Sequence, residues 1–486
     1  MEFTSEQRTF INTFITEINN GDAAIFAGAG FSAPVGFVNW KELLRDLAWE
    51  LKLDINKEHD LLSIAQYHFN KFKRGKINNK IKNEFTSLKE GSENHKILAR
   101  TEIDTYWTTN YDQLIEKTLE SEGKTVEKKI RNEDFSSNIK RKNAIVYKMH
   151  GDKDSPDEAV LIKDDYETYN DKKELFSTAL RGDLLSKTFL FIGFSFDDPN
   201  LDYILSRIKI LLKDDTPTHY CFFREISEPD FKDPEKTDAK NNEDYLYAKI
   251  KQELKVEDLR RYGIHAVMIK EYHYITSILS EIEKRIKRRN IFISGSAHEY
   301  SPFSEVEAIK LLHSLSYKLA EKQYKIISGY GLGIGSTIIN GALDFKLKSN
   351  YRNLDDLLLL RPFPQLPTET LSLEVLRTTY RNEMISNSGI AIFVFGNKLD
   401  GTDVIDADGM WEEFEICLSN GVVPIPVGVT GGVSKKLWDK VTTDLSTYYP
   451  DNAELYKAIE KLGIVGASQD DIINNTLKAV NILQKL

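Results

Sequence analysis

Apolar residues in this chain fall into two patterns that alternate from one end to the other. Phe10, Ile11, Phe14, Ile15 and Ile18 recur every three or four residues and share one face of a helix predicted over 6–20, with Gly21 placed to stop it. Segment 23–27 is a short continuous apolar run, as in a fully buried strand. Asn39 caps a helix carrying Leu43, Leu44, Leu47 and Leu51, and Glu42 completes a capping box. The alternation predicts further strands at 104–108, 144–149, 188–192, 219–223 and 265–269, with helices between most of them. Asp198 followed by Pro199 starts a helix reaching Leu212. Segment 225–243 is charged, holds Pro229 and Pro234 and lacks a period, so a surface loop is expected there. A helix ending in the basic run 284–289 gives way to a new strand at 291–293, and strands follow at 324–327, 356–360, 390–395 and 422–428. Strands and helices in alternation build a doubly wound sheet. The expected fold class is α/β: two Rossmann-like doubly wound domains, 1–285 and 288–486, each a mostly parallel sheet flanked by helices.

Composition narrows the function classes. A chain of 486 residues exceeds one ordinary core, which supports the division into domains. The net charge of -10 argues against sequence-independent binding of nucleic acid, which needs a basic face. The basic run 285–289 reads as a solvated helix end or linker. Cys221 and Cys417 stand far apart with no metal-ligand spacing, so no metal site is expected. Few cysteines, a polar N-terminus and no apolar stretch of about 18 residues point to a cytoplasmic protein with no membrane segment.

The candidate chemistry begins at two Gly-rich turns, one in each half. Gly28, Ala29, Gly30, Phe31 and Ser32 follow the strand at 23–27; glycines there let a pyrophosphate approach the backbone, and Ser32 adds a hydroxyl. Close packing is the other use of such glycines. Thr109, Asn110, Tyr111 and Asp112 follow the strand ending at Thr108, His150 and Gly151 follow Met149, and Gly193, Phe194 and Ser195 follow Ile192. Ligands of open α/β sheets sit at these carboxyl ends. Asn110 and Asp112 also suit the start of the next helix, and a lone His is more often structural than catalytic.

In the second half, Ser294, Gly295 and Ser296 follow one strand, and 329–336, with Gly331 and Gly333, follows the next. Phe363 follows a third, Arg381 lies on a helix, Lys398 lies beyond the strand ending at Phe395, and Glu413 opens a helix. Arg and Lys suit phosphates, and Glu suits a ribose diol.

Taken in order, Gly28-Ala29-Gly30-Phe31-Ser32, Thr109-Asn110-Tyr111-Asp112, His150-Gly151 and Gly193-Phe194-Ser195 resemble the signature of sirtuin-type NAD-consuming domains over about 1–285. The resemblance implies that Gly28, Ala29, Gly30 and Ser32 hold the NAD+ pyrophosphate. It implies that Asn110 positions the ribose and water, Asp112 the carboxamide, and that His150 is the base, with Gly193 and Ser195 at the adenosine. The chain departs from zinc-bearing sirtuin deacylases: it has two cysteines, Thr109 precedes Asn110, and 35–40 replaces their usual stretch after the first turn. These departures favour transfer of ADP-ribose to water over deacylation; an NAD-dependent deacylase and a non-catalytic nucleotide sensor are the alternatives.

Residues 288–486 resemble the SLOG group of nucleotide-sensing domains, without the Pro-Gly-Gly-x-Gly-Thr-x-x-Glu string of related hydrolases. The pairing resembles the effector NADases of Thoeris antiphage defence. That family implies activation by a cyclic ADP-ribose isomer made by a TIR-domain partner, NAD depletion, and a homo-oligomer, either a tetramer or a filament. Arg381, Lys398 and Glu413 would hold the signal, with Ser294, Gly331, Gly333 and Phe363 around it.

Overall fold

The computed structural model describes residues 2–87, 89–196, 199–212, 217–349 and 353–486, and the chain divides into two compact units, Met1–Glu283 and Lys284–Leu486.

The first unit is built on seven parallel strands: β1 (Ala23–Ala27), β2 (Thr105–Thr108), β3 (Val126–Lys129), β4 (Ala144–Lys148), β5 (Thr188–Ile192), β6 (His219–Arg224) and β7 (Ile264–Ile269), in the order β3-β4-β2-β1-β5-β6-β7. Successive side chains of a strand point to opposite faces. Ala24, Phe26, Phe189, Phe191 and Cys221 accordingly share one face and pack with Phe176, Leu180 and Leu184 of helix Glu174–Ser186 and with Leu201, Ile204 and Leu205 of helix Pro199–Leu212. On the other face Tyr220 and Phe222 meet Phe10 of helix Ser5–Asn20, at ring centroid separations of 4.9 and 5.6 Å. Thr4 caps that helix, and Gly21 ends it in the left-handed conformation. Between β1 and β2, helices Trp40–Glu50, Leu61–Phe72 and Arg74–Glu84 form a small apolar layer of their own, which meets Tyr111, Leu161 and Ile162.

The second unit has five parallel strands, β8 (Asn290–Ser296), β9 (Lys325–Ser328), β10 (Leu358–Leu360), β11 (Ile390–Phe395) and β14 (Val423–Pro426), in the order β10-β9-β8-β11-β14, and an antiparallel hairpin of β12 (Asn397–Asp400) and β13 (Asp403–Asp406). Ile291, Ile293, Ile326, Ile390 and Ile392 anchor one continuous core with Leu311, Leu315 and Val480 of the covering helices.

The α/β class and the two parallel, helix-flanked sheets are as the alternation predicts. The loop expected at 225–243 is a correction. Thr237 caps a helix, Asp238–Arg260, that begins inside it. Its first residues, 238–243, are polar apart from Ala239, so no apolar spacing in the segment marks the helix start; that of Leu246, Ile250 and Leu254, all exposed, lies beyond it. Asp198, expected to start helix Pro199–Leu212, lies outside the described residues.

Candidate functional site

In each sheet the chain reverses its direction of winding between two central strands, β1 and β5 in the first unit and β8 and β11 in the second. Loops leave such a switch point on opposite sides of the sheet and open a crevice at the strand carboxyl ends. The candidate residues lie on the loops at these two places and at the neighbouring strand ends.

In the first unit, Gly28 closes β1 and precedes the short helix Ala29–Ser32. The Gly28 and Gly30 N–H groups donate to the Ile192 and Gly193 carbonyls, at 3.0 and 2.9 Å. A Cβ on Gly28 would stand 2.5 Å from the Gly193 oxygen, and one on Gly193, at φ +64°, would collide with the Phe31 N–H. The packing use of these glycines is therefore realised: they let the ends of β1 and β5 touch backbone to backbone. Asn110 lies across the same crevice. Its amide donates to the Gly28 carbonyl at 3.0 Å and to the Ser32 hydroxyl at 3.1 Å. Its own N–H donates to Thr108 Oγ1 at 2.9 Å, and Thr108 Oγ1 donates to the Ala27 carbonyl at 2.9 Å. Asp112 Oδ1 accepts from the Leu114 N–H at 2.9 Å, opening helix Leu114–Ser121.

His150 follows β4 and lies edge-on to Tyr166, with centroids 5.4 Å apart, and to Tyr169 at 6.2 Å. Its carbonyl accepts from Val160 at 3.0 Å, and the Tyr111 hydroxyl donates to the Val160 carbonyl at 2.7 Å. The loops after β2 and β4 are thus one packed unit. Ser32, Asn110, Asp112 and His150 are 2%, 8%, 4% and 4% exposed, so all four side chains are buried at these strand ends. Ala29 is half-buried, and Gly30, Gly193 and Ser195 are exposed on the crevice rim; the Ser195 carbonyl accepts from Lys255 at 2.8 Å.

Sequence reasoning missed two features here. His95 of helix Glu93–Arg100 stacks on Phe31 of the Gly turn, with centroids 3.8 Å apart and planes at 26°. Burial lowers its pKa to about 4. The second is a buried charge cluster, Lys148 with Glu116 at 3.1 Å and Asp152 at 2.7 Å. Burial opposes the Lys148 charge, but Glu116 and Asp152 more than offset it and its pKa is pushed up to about 12. No apolar pattern or motif marks either one.

In the second unit, the Ser294 hydroxyl at the end of β8 donates to Glu413 Oε2 at 2.6 Å. Arg381, on helix Leu373–Ser386, reaches Glu412 at 2.6 Å and Glu413 at 3.5 Å, and its guanidinium lies 5.0 Å from the Phe363 ring centroid. Burial raises the Glu413 pKa, against the pull of Ser294 and Arg381. Ser294, Phe363, Arg381 and Glu413 are therefore one assembled cluster. Lys398, on β12, pairs with Asp408 at 2.9 Å, the first residue of the helix Asp408–Ser419 that carries Glu412 and Glu413. Gly331 and Gly333 lie against the end of β8: a Cβ on either would collide with the Gly295 or Ala297 carbonyl. Among the described residues no group of three or more His, Cys, Asp or Glu is arranged to hold a metal ion, and Cys221 and Cys417 are buried free thiols.

Polar clusters at the switch points of two parallel, helix-flanked sheets define a protein of two Rossmann-like domains, and comparison with known proteins gives each domain its family. Residues 104–246 match the SIR2-like domain, and residues 274–483 match the Sir2- and TIR-associating SLOG family. The chain belongs to the ThsA family. It is 46% identical to the NAD(+) hydrolase ThsA of Cytobacillus dafuensis over 482 residues, covering 99% of this chain and 97% of that one. It is 45% identical to NAD(+) hydrolase ThsA of Bacillus cereus (98% of each chain) and 43% identical to that of Acinetobacter baumannii (95% of each). The Gly28 turn lies outside the stretch matched by the SIR2-like domain and inside these full-length matches.

Proposed function

We infer that this chain is an NAD+ glycohydrolase whose first unit cleaves the nicotinamide–ribose bond and whose second unit controls the cut. The observation that carries the reaction is its near full-length relation to proteins named NAD(+) hydrolase; the Asn110–Ser32 contact and the packing of the Asn110 loop on the His150 loop support it. Nicotinamide in NAD+ is a cationic leaving group and departs without an acid. The ribose then acquires oxocarbenium character, as in glycoside hydrolysis. Water adds at the anomeric carbon, losing one proton, and the products are ADP-ribose and nicotinamide. Asn110 orients the ribose hydroxyls and the water, His150 takes the proton, and Asp112 meets the carboxamide. Gly28, Ala29, Gly30 and Ser32 face the pyrophosphate, and Gly193 and Ser195 the adenosine.

The burial of these side chains suits control: a loop motion that widens access to them would switch the site on. In this reading a cyclic ADP-ribose isomer, supplied by a TIR-domain partner, binds around Arg381, Lys398 and Glu413 and favours the open arrangement; an activator shifts a population only by its differential affinity. The resulting NAD depletion would be the antiphage effect, and a homo-oligomer, a tetramer or filament, would sharpen the response. The test is nicotinamide release from NAD+ by the purified chain, with and without cyclic ADP-ribose isomers. Release that rises with one isomer is expected. Absence of release under every condition overturns the reaction, and release indifferent to every isomer overturns the control.

A further inference from the structure

The Lys148–Glu116–Asp152 cluster has a position that an ordinary stabilising ion pair does not need. Lys148 is the last residue of β4, fully buried, two positions before His150. Its ammonium donates to the Asp112 carbonyl, in the loop that carries Asn110. The same ammonium meets Asp152 Oδ2 at 2.7 Å, in the loop that carries His150, and Glu116 on helix Leu114–Ser121. Asp152 is 0% exposed, and its other oxygen, Oδ1, accepts from Gln113 Nε2 at 2.9 Å and from the Asp154 N–H at 2.9 Å. The Lys153 N–H also donates to the Tyr111 carbonyl at 3.0 Å, so the two loops run side by side.

We propose that Lys148 and Asp152 are positioning residues of the hydrolase site, with one buried ammonium tying the Asn110 loop to the His150 loop so that both groups keep one mutual geometry. The inference rests on the reading of Asn110 and His150 given above. Hydrolysis without an acid depends on the orientation of ribose, water and base, and a displacement of about 1 Å costs about 10²-fold in rate. Neither Lys148 nor Asp152 needs to touch substrate. Glu116 pairs with the same ammonium but stands on the helix after the first loop, so it adds stability without joining the loops.

That difference supplies the experiment. Lys148→Met strands two buried carboxylates and is expected not to fold. Asp152→Asn is isosteric and selective. Both oxygens of Asp152 face donors, so an amide, in either orientation, sets its NH2 against one of them and loosens the His150 side. Glu116→Gln is the control, because it weakens the cluster and leaves the tie between the loops. Three readouts on the full chain decide: kcat and KM for NAD+ with cyclic ADP-ribose isomers present, melting temperature, and amide hydrogen exchange over 109–113 and 150–154. Asp152→Asn is expected to lower kcat about tenfold or more, with KM within about threefold, and to speed exchange in both segments. Glu116→Gln is expected to lower the melting temperature with kcat within about twofold of wild type. Wild-type kcat and exchange in Asp152→Asn, or losses of kcat in both variants that track melting temperature, overturn the proposal. A wild-type chain that releases no nicotinamide overturns the functional reading instead, and the exchange measurement still tests the tie.

Discussion

The Asn110 side-chain amide donates to both the Ser32 hydroxyl, at 3.1 Å, and the Gly28 carbonyl, at 3.0 Å. Two donors are all that an amide nitrogen has, so the group left to meet a substrate is the Asn110 carbonyl oxygen, an acceptor. An acceptor at the switch-point crevice suits a ribose hydroxyl or an attacking water. Asn110→Ala is therefore expected to abolish nicotinamide release with the fold intact. Ser32→Ala keeps the oxygen but frees the amide, and about tenfold loss of kcat is expected from a bond of about 1 kcal/mol plus misplacement. Steady-state kinetics beside circular dichroism check both; full activity in Asn110→Ala removes it from the reaction.

The contact of β1 with β5 gives a prediction about stability. Gly193 has φ +64°, and a Cβ there would collide with the Phe31 N–H. An Ala in this left-handed position costs about 1–2 kcal/mol before the collision is counted. Gly193→Ala is expected to destabilise the first unit by more than about 3 kcal/mol and to abolish activity, read by thermal melting. Ser195, two residues on and exposed, is expected to change stability by less than about 0.5 kcal/mol when replaced by Ala, with a rise in KM if it faces the adenosine. A Gly193→Ala protein that melts like wild type contradicts the backbone contact.

These residues show what the sequence exposes and what it hides. The runs 23–27 and 189–192 are apolar throughout and become part of adjacent central strands, β1 and β5, so the loops that follow them are legible at once. Edge strand β3 is Val-Glu-Lys-Lys, a string that reads as surface. All but Lys128 are buried, with Lys129 and Glu127 paired at 2.7 Å, a partnership no periodicity reveals. Lys148 and Asp152 were hidden for the same reason, since a buried charge and a solvated one are the same letter. The start of helix Asp238–Arg260 is hidden because 238–243 is polar apart from Ala239, and its apolar positions, Leu246, Ile250 and Leu254, come later. In the second unit the sequence places Arg381 and Glu413 on separate helices, but nothing in it shows that Glu412 holds the guanidinium at 2.6 Å.

That Glu412 contact bears on control. Arg381 stands between two carboxylates, so an anionic ligand has to displace or outbid one of them. Glu412→Gln is expected to lower the concentration of cyclic nucleotide needed for half-activation, by about threefold to tenfold. Arg381→Ala removes a charge-assisted contact worth about 1.5–3 kcal/mol and is expected to raise that concentration at least tenfold. Titrating nicotinamide release against each isomer checks both directions. Unchanged half-activation in Arg381→Ala takes it out of the signal site.

The Phe31–His95 stack sets an acid limit on the first unit. His95 is 3% exposed, and burial holds its pKa at about 4, against 6.5 for the free side chain. The folded chain therefore binds this proton less readily than the unfolded chain, and stability falls as pH falls. The loss begins near pH 6.5 and is complete below about pH 4, reaching roughly 3 kcal/mol at 1.36 kcal/mol per pH unit. Above about pH 7.5 the ring is neutral in both states and contributes no slope. His95→Phe keeps an aromatic ring against Phe31 and removes the titration. Its melting temperature relative to wild type is expected to rise as pH is lowered from 6.5 to 4.5 and to stay level above about pH 7.5. Parallel melting curves for the two proteins across the acid range would show that His95 is free to protonate in the folded chain.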